Sequence, residues 1–239
     1  LNTDKLSVRL ATVAKYVTEG ARIADIGSDH AYLPCYLAKN VGIRFAVAGE
    51  VAVGPYQSAE RNVLSEGLSD IISVRMGDGL EVIQPGEVDC ITIAGMGGTL
   101  IKNILENGKN KLDSVNRLVL QPNLSAISIR KWFLANNWEL VAEEIIEEDG
   151  KIYEVLIGEK GDPYKPYRTN VDMGLLLGPF LVKKQDAVFR KKWAAEKKNW
   201  QRIYGALEGA AKTAETNEKK QELINKMKLV EEALENEKS

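Results

Sequence analysis

The chain has one histidine, His30, and two cysteines, Cys35 and Cys90, in 239 residues. Neither cysteine has a histidine or second cysteine nearby at the spacing a structural zinc demands, so no metal is expected. Both lie in apolar surroundings and read as buried thiols. So little cysteine suits a reducing compartment, although two thiols are in principle enough for one pair. Long apolar runs are also missing: the longest, residues 173–182, contains Gly178 and Pro179 and is far too short to cross a hydrocarbon core. Residues 1–19 are polar and helix-like, without the basic stretch, apolar run and cleavage site of a secretory signal. Neither membrane insertion nor export is expected, and a bacterial cytoplasm is the expected location. Internal repeats and low-complexity tracts are absent as well.

What is present is a globular balance of 44% hydrophobic and 28% charged residues, over a length that suits one sizeable core plus a smaller appendage. The formal net charge is -2, unevenly spread: residues 1–160 hold 16 basic and 22 acidic side chains, residues 161–239 hold 16 and 12. Between residues 183 and 202 eight lysines and arginines stand against only two acidic residues, Asp186 and Glu196. Such a local field attracts phosphate even on a mildly acidic protein.

Residues 22–159 alternate short β-branched runs with amphipathic stretches, the pattern of parallel βαβ units. Strands are expected at residues 22–26, 45–49, 72–75, 90–94 and 118–120, apolar on both faces as covered strands should be. Helices are expected between them: one with Pro55 at its first position and Gly67 at its close, one over residues 99–107 ending at Gly108, and one over residues 125–137 capped by Ser125. Residues 138–147 and 151–158 then read as strands joined by Glu148-Asp149-Gly150. The expected fold is α/β, a Rossmann-like doubly wound sheet, mostly parallel and closed by an antiparallel hairpin. Linker composition over residues 160–170 separates a domain of residues 1–160 from one of residues 161–239. In the second, Phe189, Trp193, Glu196, Trp200, Ile203 and Leu207 recur at helical spacing, as do Leu223, Met227, Val230 and Leu234. A polar join over residues 212–218 would make these an α-helical, coiled-coil-like hairpin.

Ligands of doubly wound sheets bind at the carboxyl ends of the central strands, and several of these ends are unusual. After the first comes Asp25-Ile26-Gly27-Ser28-Asp29-His30, where Gly27 lets the backbone pass close to a ligand and the carboxylates repel pyrophosphate. No Gly-x-Gly-x-x-Gly spacing for a dinucleotide is present. The acidic loop suits a cofactor with a cationic sulfonium and an amino group, S-adenosylmethionine, with Asp25 acting through backbone and water contacts. A tight turn whose aspartates are caps is the plainer alternative. Glu50, followed by Val51, ends the second strand 25 residues after Asp25, where an acidic side chain can accept both ribose hydroxyls of an adenosine cofactor. Asp78 and Gly79, after the third strand, suit an adenine amino group, though a plain turn explains them equally. Ala94-Gly95-Met96-Gly97-Gly98-Thr99 is a glycine-rich loop without the Lys-Ser/Thr ending of a phosphate loop, which disfavours nucleoside triphosphates.

Five parallel strands with a closing hairpin match class I methyltransferases by analogy of fold. Members acting on exocyclic amines place an Asp/Asn-Pro-Pro-aromatic tetrapeptide after the fourth strand, and this chain has none. A ring nitrogen with an in-plane lone pair needs no proton removed; it needs stabilisation of the positive charge that develops on the base. Asp29 is the first candidate for that task. His30 could orient the base or manage protons, and Asn123, at the end of the fifth strand, could meet a base edge with its amide. A structural histidine and a helix cap are the plain alternatives.

Together, Asp25-Ile26-Gly27-Ser28-Asp29-His30-Ala31-Tyr32-Leu33-Pro34, Ala48-Gly49-Glu50, Gly77-Asp78-Gly79-Leu80, Ile93-Ala94-Gly95-Met96-Gly97-Gly98 and Leu120-Gln121-Pro122-Asn123 resemble the TrmK family of bacterial tRNA methyltransferases. The likeness spans the chain, including Gly178-Pro179-Phe180 and the C-terminal hairpin. The resemblance implies S-adenosylmethionine-dependent methylation of N1 of adenosine 22 in the D-arm of tRNA. Cofactor contacts would come from Asp25, Gly27, Ser28, Glu50, Val51, Asp78, Gly79, Ala94, Gly95 and Met96. The basic helix becomes a tRNA clamp through Lys183, Lys184, Arg190, Lys191, Lys192, Lys197 and Lys198, with Arg9, Arg75, Lys102, Arg130 and Lys131 as contacts nearer the site. A solvated coiled-coil face is the alternative. The expected partner is tRNA, without membrane or metal; a monomer is the working expectation, the oligomeric state being open. Competing functions are methylation of another RNA or a small molecule, a nicotinamide-dependent dehydrogenase, and a non-catalytic RNA-binding module.

Overall fold

The structure, a computed structural model, describes Thr3, residues 5–209 and residues 213–235. It divides into two compact units, Leu1–Tyr164 and Lys165–Ser239.

The first unit runs α1 (Val8–Ala14), β1 (Arg22–Ile26), α2 (Tyr32–Asn40), β2 (Phe45–Glu50), α3 (Val53–Ser65), β3 (Ile72–Met76), β4 (Cys90–Gly97), α4 (Gly98–Asn107), β5 (Arg117–Leu124), α5 (Ala126–Ala135), β6 (Trp138–Glu148) and β7 (Lys151–Lys160). The strands form one sheet in the order β3-β2-β1-β4-β5-β7-β6. β1 to β5 are parallel, and β7 is antiparallel to both β5 and β6. The direction of winding reverses between β1 and β4, which opens a crevice at their carboxyl ends. Ile23, Ala24, Val47, Ile91 and Val119 are fully buried, as strands covered on both faces require. The β6–β7 hairpin turns on Asp149 (φ 50°) and Gly150 (φ 73°), a pair of left-handed residues whose twist matches that of the strands.

Several expectations are corrected here. β4 continues to Gly97 and β5 to Leu124, because Ala94↔Gln121, Met96↔Pro122 and Gly97↔Leu124 prolong the ladder across a bulge. The glycine-rich stretch is therefore bulged strand rather than loop, and Asn123 lies within β5. Pro55 is the third residue of α3, not its first; its missing N–H is still one that no helical carbonyl would have met. Ser125 is left-handed (φ 59°) and its side chain makes no cap bond. Of the described residues among 1–19 only Val8–Ala14 is helical, capped by Ser7 Oγ, which accepts the Leu10 N–H at 3.2 Å; Leu1, Asn2 and Asp4 lie outside the described residues.

The second unit comprises α6 (Val171–Leu177), α7 (Pro179–Lys184), α8 (Ala187–Glu208) and α9 (Ala214–Glu235). The apolar window of residues 173–182 is two short helices broken at Gly178 (φ 92°). Asn170 and Asp186 cap α6 and α8, each accepting a backbone N–H at 3.0 Å, from Met173 and Phe189 respectively. α8 buries Phe189 and Trp193, and α9 buries Leu223, Val230 and Ala233. The expected join is shorter than residues 212–218: Lys212 lies outside the described residues, and residues 214–218 already belong to α9. Among the described residues no helix is long and apolar enough to cross a membrane.

Candidate functional site

Parallel pairing of β1, β2, β4 and β5 brings their carboxyl ends to one edge, where the polar side chains form three hydrogen-bonded groups. Asp25, only 3% exposed, accepts the Ser28 hydroxyl at 2.6 Å on one oxygen and the Thr92 hydroxyl at 2.6 Å on the other. Burial pushes its carboxyl pKa up, and the two hydroxyls oppose the shift. Asp25 is therefore a brace: its side chain ties the β1 loop to β4, and its influence on a ligand runs through the loop it shapes. Gly27 has φ 69° and donates its N–H to the Gly49 carbonyl at 2.9 Å. A Cβ there would lie 2.3 Å from Met96 Cε, so the bare backbone leaves room that the Met96 side chain already enters.

Beyond Gly27, Asp29 (φ 41°), His30 (φ 66°) and Ala31 (φ 56°) are three consecutive left-handed residues, none of them glycine. Each such residue is disfavoured by the clash of its Cβ with the backbone, so the run is held from outside. The Glu50 carboxylate accepts the Asp29 N–H, and Asn62 of α3 donates its side-chain amide to the His30 carbonyl at 2.8 Å. The Asp29 carboxylate is thereby left 79% exposed, 3.4 Å from His30 Nε2. The His30 ring stacks on Tyr32 with centroids 5.3 Å apart.

Glu50 is 5% exposed. Burial is the main cause raising its carboxyl pKa. Its Oε1 accepts from Asp29; its Oε2 accepts no hydrogen bond among the described residues. The packed side chain leaves that oxygen reachable from solvent, where a ligand can donate to it, and two vicinal hydroxyls fit. Val51 beside it is exposed. Asp78 and Gly79 follow β3 at the start of a short 3-10 turn, where the Glu81 carboxylate accepts the Asp78 N–H at 3.3 Å.

The β4–β5 end carries a network in which Gln121, read only as part of a motif, is the hub. Its fully buried amide oxygen accepts from Arg9 Nη1 at 2.6 Å and from the Gly95 N–H at 3.0 Å. Its nitrogen faces Asn123 Oδ1 at 3.4 Å, and Asn123 Nδ2 donates to the Gly95 carbonyl at 2.8 Å. Gly95 has φ 80°, and a Cβ there would lie 3.2 Å from Arg9 Nη1. Asn123 thus holds the bulge containing Ala94, Gly95 and Met96, and is itself exposed at the edge. The signal for Gln121 and Thr92 was legible in outline: both are polar residues inside otherwise apolar strands.

The basic residues expected at tRNA divide. Arg130 is corrected: it is fully buried, 2.6 Å from Glu143 and 2.5 Å from Glu154, and fastens α5 to β6 and β7. Arg75 is occupied by the Glu87 carboxylate at 2.6 and 2.9 Å, and Arg9 by Gln121 and the Tyr153 ring, 5.6 Å away. Lys102 and Lys131 are exposed on α4 and α5. In the helical unit, Lys183, Lys184, Lys191 and Lys198 are exposed. Arg190 bonds Gln185 at 2.9 Å, Lys192 lies over the Trp193 ring at 4.9 Å, and Lys197 pairs with Glu231 at 2.8 Å.

Comparison with known proteins identifies the relatives of this chain. The family profile described as TrmK, tRNA (adenine(22)-N(1))-methyltransferase, matches residues 23–232. A Bacillus subtilis tRNA (adenine(22)-N(1))-methyltransferase is 52% identical over 235 residues, which is 98% of this chain and 99% of that protein. The crystal structure of the B. subtilis M1A22 tRNA methyltransferase TrmK superposes with a TM-score of 0.93 at 50% identity, covering 97% of this chain and 100% of the other. A Streptococcus pneumoniae protein solved in complex with S-adenosyl-L-methionine superposes with a TM-score of 0.80 at 42% identity, covering 96% and 100% of the two chains.

Proposed function

The chain belongs to the TrmK family of tRNA (adenine(22)-N(1))-methyltransferases, and from that premise we propose how its own residues carry out methyl transfer from S-adenosylmethionine to N1 of adenosine 22. When bound, the cofactor supplies an electrophilic methyl group on a cationic sulfur. The observation that carries the reading is the unmatched oxygen of Glu50, a nearly buried carboxylate at the second strand end, which is suited to ribose hydroxyls. The loop at Gly27, the bulge at Ala94, Gly95 and Met96, and the Asp78-Gly79 turn complete the cradle. Its acidic lining repels the phosphates of a dinucleotide and suits a cationic donor.

Adenine N1 attacks through its in-plane lone pair, so no side chain needs to remove a proton first. The chain's task is to align that nitrogen with the methyl group and to stabilise the charge spreading over the amidine of the base. Asp29 presents its carboxylate for that charge. Asn123 offers an oxygen to the exocyclic amine, and the stacked His30 and Tyr32 rings flank the approach. The helical unit meets the tRNA backbone through Lys183, Lys184, Lys191 and Lys198. The enzyme acts in the bacterial cytoplasm, in keeping with Cys35 and Cys90 being free and buried. Incubation with methyl-labelled S-adenosylmethionine and tRNA from cells lacking the enzyme should yield 1-methyladenosine at position 22. Label in another nucleoside, or none, would overturn the assignment.

A further inference from the structure

A second surface lies beside the strand ends and is not part of the cofactor cradle. α4 and α5 begin directly after β4 and β5, so their first turns stand at the catalytic edge. There the hydroxyls of Thr99 and Ser128 are 3.4 Å apart. From them a cleft of about 480 Å³ extends between the two helices, lined also by Lys102, Lys109 and Lys131.

The charge in this cleft runs against its surroundings, since residues 1–160 hold 16 basic and 22 acidic side chains. Glu106 is the one carboxylate in the lining, and it is engaged: it accepts the Trp132 indole N–H at 2.7 Å and stands 3.7 Å from Lys109. Lys102 and Lys131 are exposed and make no ion pair among the described residues. Two uncompensated ammonium groups and a pair of hydroxyls form a donor set for phosphate oxygens. Trp132 is buried, so the cleft offers no aromatic face on which a base could stack. Such a surface positions a nucleic-acid backbone without reading its sequence. The methyl donor carries no phosphate, so the anion must belong to the substrate.

We infer that the α4–α5 cleft holds the sugar–phosphate backbone of tRNA next to the target nucleotide, while the Asp29 loop receives the base. This rests on the reading of the chain as a tRNA methyltransferase. The cleft gives the first unit its own grip on the substrate, independent of the basic helix α8.

The test compares wild-type enzyme with Lys102→Ala/Lys131→Ala and with a control, Lys39→Ala/Lys160→Ala, which removes equal charge from the opposite edge of the sheet, where the parallel strands begin. tRNA affinity is measured from 50 to 200 mM salt, alongside S-adenosylmethionine affinity and methylation of position 22. The cleft variant should bind every tRNA more weakly, with a salt slope shallower by about 2, one for each lost phosphate contact. Cofactor affinity should be unchanged, and the control should keep the wild-type slope. A wild-type slope in the cleft variant, or equal losses in cleft and control variants, would overturn the proposal while wild-type methylation still upheld the enzyme's function. If the wild type leaves position 22 unmethylated, the premise itself fails.

Discussion

Arg9 Nη1 donates to Gln121 Oε1 at 2.6 Å, reaching from the first turn of α1 to a fully buried amide in the carboxyl half of β5. Because the same oxygen also receives the Gly95 N–H, the Gln121 amide has one orientation. Its nitrogen is directed at Asn123, whose own amide then faces the Gly95 carbonyl. Arg9 therefore belongs with the residues that shape the site, although its charge alone suggests contact with RNA. Arg9→Met should lower kcat by roughly ten- to a hundredfold through a misplaced Asn123. Arg9→Lys should recover part of the loss, and the salt slope of tRNA binding should not move. A slope shallower by about one with kcat intact would return Arg9 to the phosphate contacts.

Glu50→Gln separates stability from binding. Burial raises the Glu50 carboxyl pKa in the folded protein. Its contribution to stability is therefore full below the ordinary carboxylate range and is lost as pH rises through the raised folded value. The glutamine variant without cofactor should melt higher than wild type, by a margin that widens from about pH 4 to neutrality. Its affinity for S-adenosylmethionine should fall by about tenfold or more, as expected for a lost hydrogen bond to a charged group. Calorimetric titration showing unchanged affinity would make Glu50 a mere anchor for the Asp29 N–H.

Asp29→Asn preserves both that backbone N–H and a residue type tolerant of left-handed geometry. Cofactor affinity should persist while single-turnover methylation slows by roughly 10²-fold, the scale for losing one preorganised electrostatic partner. Wild-type turnover would remove Asp29 from the reaction.

Arg130→Met removes the buried cation that Glu143 and Glu154 share. A loss of about 3–5 kcal/mol is expected, read as a lower Tm. Any fall in methylation should track unfolding, and the tRNA salt slope of the fraction that stays folded should be unchanged.

Gly98→Ala tests what the glycine-rich segment is for. A Cβ there would lie 2.2 Å from the Ser125 carbonyl oxygen, and a backbone atom cannot swing aside as a side chain can. Destabilisation of at least about 1–3 kcal/mol should follow, whether or not cofactor is present. An equally stable variant would show that the α4 and α5 starts can separate freely.

The βαβ order, the hairpin and the acidic strand ends were legible because each depends on local pattern: apolar runs, turn residues and a carboxylate where a strand stops. The misread places depend on partners distant in sequence. Gly95, Gly97 and Gly98 suggest a ligand loop until β5 is set beside them; then only Gly95 takes a positive φ, while Gly98 serves close packing. Arg130 and Arg75 carry the same charge as Lys102, and nothing local reveals that Arg130 meets carboxylates on β6 and β7 or that Arg75 meets Glu87 in the loop before β4. Asp25 reads as part of the loop after the first strand; it lies within β1, and its two hydroxyl partners come from Ser28 and, across the sheet, from Thr92.

The left-handed run at Asp29, His30 and Ala31 narrows what can be engineered here. A designer wishing to redirect the enzyme to another base would begin by varying these side chains, yet the backbone admits few of the twenty. β-Branched residues are barred by their stiffness before any chemistry is weighed, whereas asparagine, aspartate, histidine and glycine remain open. Libraries built on this loop are accordingly small, and broader diversity has to come from Tyr32 or from the strand end at Asn123, where the backbone imposes no such filter.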